Sequence, residues 1–363
     1  MYRAARPLLF RLDPERAHAV ALRYLERLHR SGWTSGRVLN ERAAADPRLR
    51  LSWLGSMLPG PLGVAAGFDK GATCYNGLFR LGFAHVEVGT FTPRAHEGNE
   101  PPRIERLPGS HALVNRLGFN NPGVEVAAGR LASIVPAGFV AANVGPNRDA
   151  IGEDARAALA AAGVALAPHV AALTLNVSSP NAPGLRELQR PQGLGALVQG
   201  VLERLDGEGA QRPLLVKLHP DAPDEEIVAA GRAAMDAGAS GLVAVNTTTR
   251  VPTEVRASIQ GGLSGRPLRD RAETVCALLS KGLGSDVPIM GVGGVSTGVD
   301  VLRRMAVGAH AVQAYTGFVY RGPRFPRAVN REVLAGLDRL GVDRLDEVVG
   351  LGLDVVSRKI SEP

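Results

Sequence analysis

Six consecutive residues, Asn176-Val177-Ser178-Ser179-Pro180-Asn181, hold two carboxamides and two hydroxyls directly after the apolar run Val170 to Leu175. Carboxamides carry donors and acceptors together, so Asn176 and Asn181 can read a planar ring bearing amide and carboxylate groups, while the Ser179 hydroxyl can take a proton from it. A plain Asx/Ser turn closed by Pro180 uses the same residue types. Similar clusters elsewhere favour the chemical reading.

Ala66-Gly67-Phe68-Asp69-Lys70 ends the run begun at Leu62, Gly89-Thr90 follows Phe83 to Val88, and Asn143 closes Phe139 to Asn143. Lys217 sits inside Leu214 to Leu218, and Asn246-Thr247-Thr248 follows Gly241 to Val245. Gly293-Gly294 and Tyr315-Thr316-Gly317 follow the last two runs, Pro288 to Val292 and Ala311 to Ala314. Glycine leaves backbone N–H groups open to a phosphate, and Gly265 in Gly261-Gly262-Leu263-Ser264-Gly265 can join the same cradle; tight turns also call for glycine.

Lysine is scarce, with Lys70, Lys217, Lys281 and Lys359 standing beside 38 arginines. A compact ammonium on a flexible stem can reach an electron-rich ring and stabilise negative charge on it. Lys281 and Lys359 read as solvated surface groups, whereas the apolar neighbours of Lys217 argue against an unneutralised surface role. Between the second and third runs, Asn115-Arg116-Leu117-Gly118-Phe119-Asn120-Asn121 combines carboxamides, a cation and an aromatic. Such a segment suits a lid or wall for a small anion, and a polar hairpin without a ligand fits as well. Arg94, Arg103 and Arg106 add basic side chains near that rim.

These groups need a scaffold that brings strand ends together. Eight short apolar runs alternate with helical stretches such as Gly123 to Leu131, Asp154 to Ala162, Asp224 to Ala237 and Pro326 to Leu340. Eight βα units predict an α/β fold closed as a (β/α)8 TIM barrel, in preference to an open doubly wound sheet, and barrels of this kind place their sites at the carboxyl ends of the strands. The barrel is expected over 47–345, with a small N-terminal helical extension over 1–46 and a tail over 346–363. Asp13-Pro14 marks a helix start, with Asp as N-cap and Pro at the first helical position, and the helix should run to about Arg30. Ala17, Val20, Ala21, Tyr24, Leu25 and Leu28 form its expected apolar face, and a second, weaker helix is expected from Val38 to Ala45. Packing on its own barrel and binding to anionic lipid both fit this basic amphipathic helix.

A length of 363 residues suits one barrel with an appendage. Of the net charge of +7, residues 1–50 hold +6, with eleven arginines against five acids. Cys74 and Cys276 lie far apart without CxxC or Cys/His spacing, which points to neither a disulfide framework nor a metal site. Aromatics make up only 4% and do not alternate with basic residues in the manner that stacks bases, so no nucleic-acid partner is expected. No run reaches the ~18 apolar residues that cross a bilayer, so any membrane contact is expected to be peripheral, through the N-terminal helices.

Taken in order, Ala65-Ala66-Gly67-Phe68-Asp69-Lys70, Glu87-Val88-Gly89-Thr90, Asn115 to Asn121, Asn176 to Pro183, Gly261 to Pro267 and Gly291 to Gly294 closely resemble the dihydroorotate dehydrogenases, flavin enzymes of pyrimidine synthesis. The likeness covers roughly residues 8 to 330. Within it, serine at 179 in place of the cysteine base of the soluble branch, and the opening Leu12-Asp13-Pro14-Glu15-Arg16-Ala17-His18, resemble the membrane-associated, quinone-dependent branch.

The resemblance implies flavin mononucleotide (FMN) held by Ala66, Gly67, Phe68, Asp69, Lys70, Thr90, Asn143, Asn176, Lys217, Val245, Gly265, Gly294, Tyr315 and Thr316, its phosphate lying at Gly294, Tyr315 and Thr316. It implies dihydroorotate held by Lys70, Asn115, Arg116, Leu117, Gly118, Phe119, Asn176, Asn181, Asn246 and Thr247. Ser179 would take the C5 proton as hydride leaves C6 for the flavin, giving orotate, and electrons would pass to ubiquinone or menaquinone through a tunnel beside Arg106. Two positions depart from the family pattern: Ala182 replaces the usual threonine after Asn181, leaving a water to relay the Ser179 proton, and Val245 replaces another threonine. Alanine- and arginine-rich composition points to a bacterial source and to the cytoplasmic side of the cell membrane.

Three rival readings use the same residues. One is a soluble-type enzyme with fumarate or NAD as acceptor, disfavoured by Ser179 and the basic N-terminal helix. A flavin-dependent RNA-modifying barrel would need a basic RNA-binding domain, yet residues 51–363 carry only +1. A non-catalytic, membrane-bound flavin barrel is the third.

Overall fold

A computed structural model describes residues 2–30, 46–150, 152–178 and 190–360. Ser179, Asn181, Ala182 and the expected helix from Val38 to Ala45 lie outside them. Leu54 and Gly55 both adopt positive φ, 47° and 76°, and so form the two-residue turn that joins β1 (Leu51–Trp53) to β2 (Ser56–Leu58) with matching twist. This hairpin buries Leu51, Trp53 and Leu58 in the core.

The chain then forms β3 (Leu62–Val64), β4 (His85–Phe91), β5 (Ile104–Leu107), β6 (Ala112–Asn115), β7 (Phe139–Val144) and β8 (Ala172–Leu175). Next come β9 (Leu214–Lys217), β10 (Gly241–Ala244), β11 (Gly262–Gly265), β12 (Ile289–Val292) and β13 (Ala311–Ala314). Eight of these, β3, β4, β7, β8, β9, β10, β12 and β13, close in that order into a parallel barrel. Every residue of these strands is buried, as expected where side chains fill the barrel on one face and meet helices on the other. The barrel strands are those read from the sequence.

The remaining three strands were not foreseen. β6 lies between β5 and β11 in an antiparallel sheet, with Asn115 opposite both Ile104 and Gly262. Ala112, Val114, Val255 and Leu263 give this sheet a small core of its own. The segment Asn115 to Asn121 therefore leaves the middle strand of a sheet.

Helices α1 (Tyr2–Leu9) and α2 (Pro14–Arg30) precede the barrel. Asp13 caps α2 as expected, its Oδ1 accepting from the N–H groups of Glu15 and Arg16 at 3.0 Å each. The expected apolar face needs correction, because Val20 and Tyr24 are 41% and 54% exposed while Leu25 and His29 are buried. His18, Leu22, Leu25 and His29 share the inner side, and two imidazoles thus replace aliphatic groups against the barrel. Among the described residues, no helix is long and apolar enough to cross a membrane. At the other end, the helix Leu353–Lys359 packs Val356 and Ile360 into the main core, so residues read as a tail are docked on the barrel.

Candidate active site

A cavity of about 920 Å³ opens at the carboxyl ends of the barrel strands. Such a volume lies in the range of pockets that enclose a cofactor together with a small substrate. Ala66, Gly67 and Lys70 reach it from the loop after β3, Thr90 from β4 and Asn176 from the end of β8. Lys217 enters from β9, and Val245, Asn246 and Thr247 from the loop after β10. Asn115, Leu117, Gly118 and Phe119 wall the opposite side, carried there by β6, and Gly265 joins them from β11. Gly294, Tyr315 and Thr316 close one end.

Several sequence candidates stand behind this wall. Asp69 is fully buried and spends its carboxylate on the N–H groups of Thr73 and Cys74, at 2.8 Å each, which shapes the loop carrying Lys70. Phe68 packs edge-on against Tyr315 and His18, with ring centroids at 5.6 and 4.9 Å. Asn143 lies beneath Thr90 and Asn176. Arg116 turns outward to the carbonyls of Pro102 and Glu100. Arg106 binds the carbonyls of Leu9 and Leu12 and lies 4.8 Å over the Phe10 ring, so it fastens α1 to β5.

Buried amides form the floor. Asn143 Nδ2 donates to Glu87 Oε1 at 2.5 Å, and its Oδ1 accepts from Thr90 Oγ1 at 2.6 Å and from Asn176 Nδ2 at 3.1 Å. Asn246 Nδ2 then donates to Asn176 Oδ1 at 3.2 Å and to Ser178 Oγ at 3.1 Å. The amides of Asn176 and Asn143 are thus engaged by neighbours, and the cavity-facing surface of Asn176 is rigidly oriented.

Charge enters from two lysines. Lys217 is 5% exposed and meets no acceptor among the described residues. A buried ammonium without a partner is costly, so the site suits an electron-rich or anionic group there. Burial pulls the Lys70 ammonium down to about 8, aided by Arg103 and opposed by Glu15 and Asp69. His18 Nε2 lies 3.0 Å from Phe68 O, and burial with the nearby Lys70 charge lowers its pKa to about 3, leaving the ring neutral.

The end at Gly294 is built for close approach. A Cβ on Gly294 would fall 2.4 Å from Arg269 Cα, and one on Gly265 would fall 2.4 Å from His111 O and 2.8 Å from Thr316 Cγ2. Ser264 Oγ and Thr316 Oγ1 are 2.9 Å apart and tie β11 to the start of the helix Thr316–Arg321 that follows β13. Backbone without side chains, hydroxyls and a partnerless ammonium in one cavity fit a phosphorylated, electron-accepting ring such as a flavin nucleotide.

Asn120, read from the sequence within the Asn115 to Asn121 wall but not singled out as a site residue, lines the cavity with a buried Oδ1 that has no partner among the described residues. Sequence reasoning missed Tyr2 and Arg6 of α1, which reach the cavity rim. Asn120 was legible as part of the carboxamide cluster, while α1 left no signal beyond Leu8-Leu9-Phe10.

Residues 48–337 match the family model described as dihydroorotate dehydrogenase. A relative from Anaeromyxobacter sp. (strain Fw109-5), named dihydroorotate dehydrogenase (quinone), is 45% identical over 362 residues and covers 98% of each chain. One of the same name from Xanthomonas oryzae pv. oryzae is 42% identical, covering 89% of this chain and 93% of its own. The crystal structure of DHODH from Eimeria tenella in complex with ferulenol superposes with a TM-score of 0.84 at 32% identity, covering 94% of this chain and 96% of that one. Sequence and fold agree, and the chain belongs to the dihydroorotate dehydrogenase family.

Proposed function

We propose that this protein oxidises dihydroorotate to orotate in pyrimidine synthesis, using FMN and delivering the electrons to a membrane quinone. The observation that carries this reading is the convergence of Lys70, Lys217, Asn246 and the Gly294 turn on one cavity. FMN, when bound, supplies the hydride acceptor and the electron transfer that side chains lack. Gly265, Gly294, Tyr315 and Thr316 hold its phosphate end, and Lys217 with Ala66, Gly67 and Thr90 meets its ring. Lys70 and Asn115 meet the substrate carboxylate and ring, with Asn246 and Thr247 beside them. Ser179 follows the buried Ser178 in sequence and takes the C5 proton; a serine needs an onward path for that proton, which a water supplies where Ala182 stands.

Quinone as acceptor is supported by the names of the relatives and by α1 at the cavity rim, with α2 packed against Phe68 through His18. Leu8, Val20 and Tyr24 on these helices and Leu12 between them are exposed and offer an apolar face to the cytoplasmic side of the cell membrane. Anaerobic addition of dihydroorotate should bleach the bound flavin, and a ubiquinone or menaquinone analogue should restore it faster than fumarate or NAD. A flavin that stays oxidised with dihydroorotate present would refute the reading.

A further inference from the structure

Arg304 carries a charge that the catalytic scheme leaves unexplained. It lies on the helix Gly298–Ala306 and is completely buried. Its stem runs under β12, where a Cβ on Gly291 would fall 2.4 Å from Arg304 Cγ. The guanidinium lies beside the Cys276 thiol and donates to three carbonyls: Nη1 to Val292 O at 3.2 Å, and Nη2 to Gly293 O at 2.8 Å and Arg269 O at 3.2 Å. Nε has no partner.

Nearby carboxylates are committed elsewhere. Glu273 pairs with Arg303 at 2.8 Å, and Asp300 accepts from the N–H groups of Ser296 and Thr297 and faces Arg269 at 3.6 Å. Arg304 has no carboxylate partner among the described residues. An uncompensated buried cation is strongly unfavourable unless an anion sits close by.

The cavity lies on the other side of the glycine turn. In a trans peptide the carbonyl and the following N–H point in opposite directions, so drawing Gly293 O onto the guanidinium turns the Gly294 N–H away from it. Gly293 and Gly294 line the cavity with φ of +115° and +74°, and the Gly294 N–H meets no acceptor among the described residues.

We propose that Arg304 is a positioning residue for a phosphate monoester, setting the Gly293–Gly294 turn and supplying, from beneath it, the positive charge that a dianion balances. This inference rests on the FMN reading and adds a determinant of phosphate selectivity to it.

The test compares FMN with riboflavin, which has the same ring and no phosphate. Full-length protein reconstituted with each is diluted, and dissociation is read from the flavin fluorescence released. Wild-type protein should hold FMN far more tightly than riboflavin; equal affinities would refute the FMN reading itself. Arg304→Met should weaken FMN on the order of 10- to 100-fold, the worth of one or two charge-assisted contacts, and leave riboflavin unchanged. Arg304→Gln, which keeps a donor for Gly293 O but loses the charge, should lose part of that selectivity and flatten the salt dependence of FMN release. An unchanged FMN to riboflavin ratio in either variant, or equal weakening of both flavins, would overturn the proposal.

Discussion

Glu87 holds Asn143 at 2.5 Å, and this contact sets the direction of the amides on the barrel floor. A carboxylate only accepts, so Asn143 must turn its Nδ2 toward Glu87 and its Oδ1 toward Thr90 and Asn176. Asn176 must then present Nδ2 to this pair and Oδ1 to Ser178 and Asn246. One buried acid thereby fixes which edge of Asn246 faces the cavity.

Glu87→Gln should therefore disturb substrate binding from beneath the site. Glutamine keeps the shape and offers donor and acceptor alike, so the chain of amides loses its anchor. The KM for dihydroorotate should rise about tenfold, the worth of one misdirected hydrogen bond, with the melting temperature lowered only slightly. Steady-state kinetics and orotate titration measure it; wild-type values for both would show that the amides are oriented by something else.

The alkaline limb of the pH profile should belong to Lys70. Its ammonium titrates at about 8 because burial opposes the charge. The ordinary lysine value is higher, so the buried charge costs stability below about pH 8, and that cost is relieved as pH rises toward 10.5. Binding of an anionic substrate runs the other way, since the attractive charge is lost above about 8. The kcat/KM for dihydroorotate should fall about tenfold per pH unit beyond that point. Lys70→Arg keeps its charge and should push this limb well past pH 10, at a reduced maximum. An identical limb in the variant would assign it to another group.

The barrel and much of its site were legible because both follow from short-range pattern. Runs such as Leu214 to Leu218 bury every residue, and polar residues at their ends must then surround the barrel mouth. The sheet of β5, β6 and β11 was not legible, because Gly262 pairs with Asn115 across a long separation and β11 contains two glycines. Helix α2 misled for another reason. Its inner side carries His18 and His29, whose rings pack on Phe68 and Tyr75 at 4.9 and 4.4 Å, so hydropathy alone found Leu25 and Leu28 but added Val20 and Tyr24, which face outward. Asp69 and Asn143 were found as site residues, yet geometry gives them supporting positions beneath those that line the cavity.

Gly294 and Gly341 separate backbone strain from crowding. Their φ angles are +74° and +70°, so alanine is strained at both by about 1 kcal/mol or somewhat more. A Cβ at Gly341 meets open space, whereas at Gly294 it would fall 2.4 Å from Arg269 Cα. Gly341→Ala should cost only that strain and leave the flavin content of purified protein intact. Gly294→Ala should melt lower and emerge largely without flavin, read from its visible absorbance. Equal flavin content in the two variants would remove the turn from the cofactor site.

Arg106→Ala should uncouple the two half-reactions. Arg106 binds the carbonyls of Leu9 and Leu12 at the junction of α1 and α2, and it covers the Phe10 ring, which packs on Tyr320 at 5.4 Å. Arg103 holds Glu15 of α2 at 3.0 Å and remains in the variant. Losing the two charge-assisted bonds and the cation–π contact should loosen α1 by about 2 kcal/mol while the barrel stays folded. Tryptic cleavage at Arg11 should then accelerate by roughly 30-fold, because cleavage follows the population of the opened segment. The KM for quinone should rise with it. Anaerobic flavin reduction by dihydroorotate should keep its rate, since no atom of Arg106 lines the cavity. A parallel loss of flavin reduction would mean that the N-terminal helices support the substrate side as well.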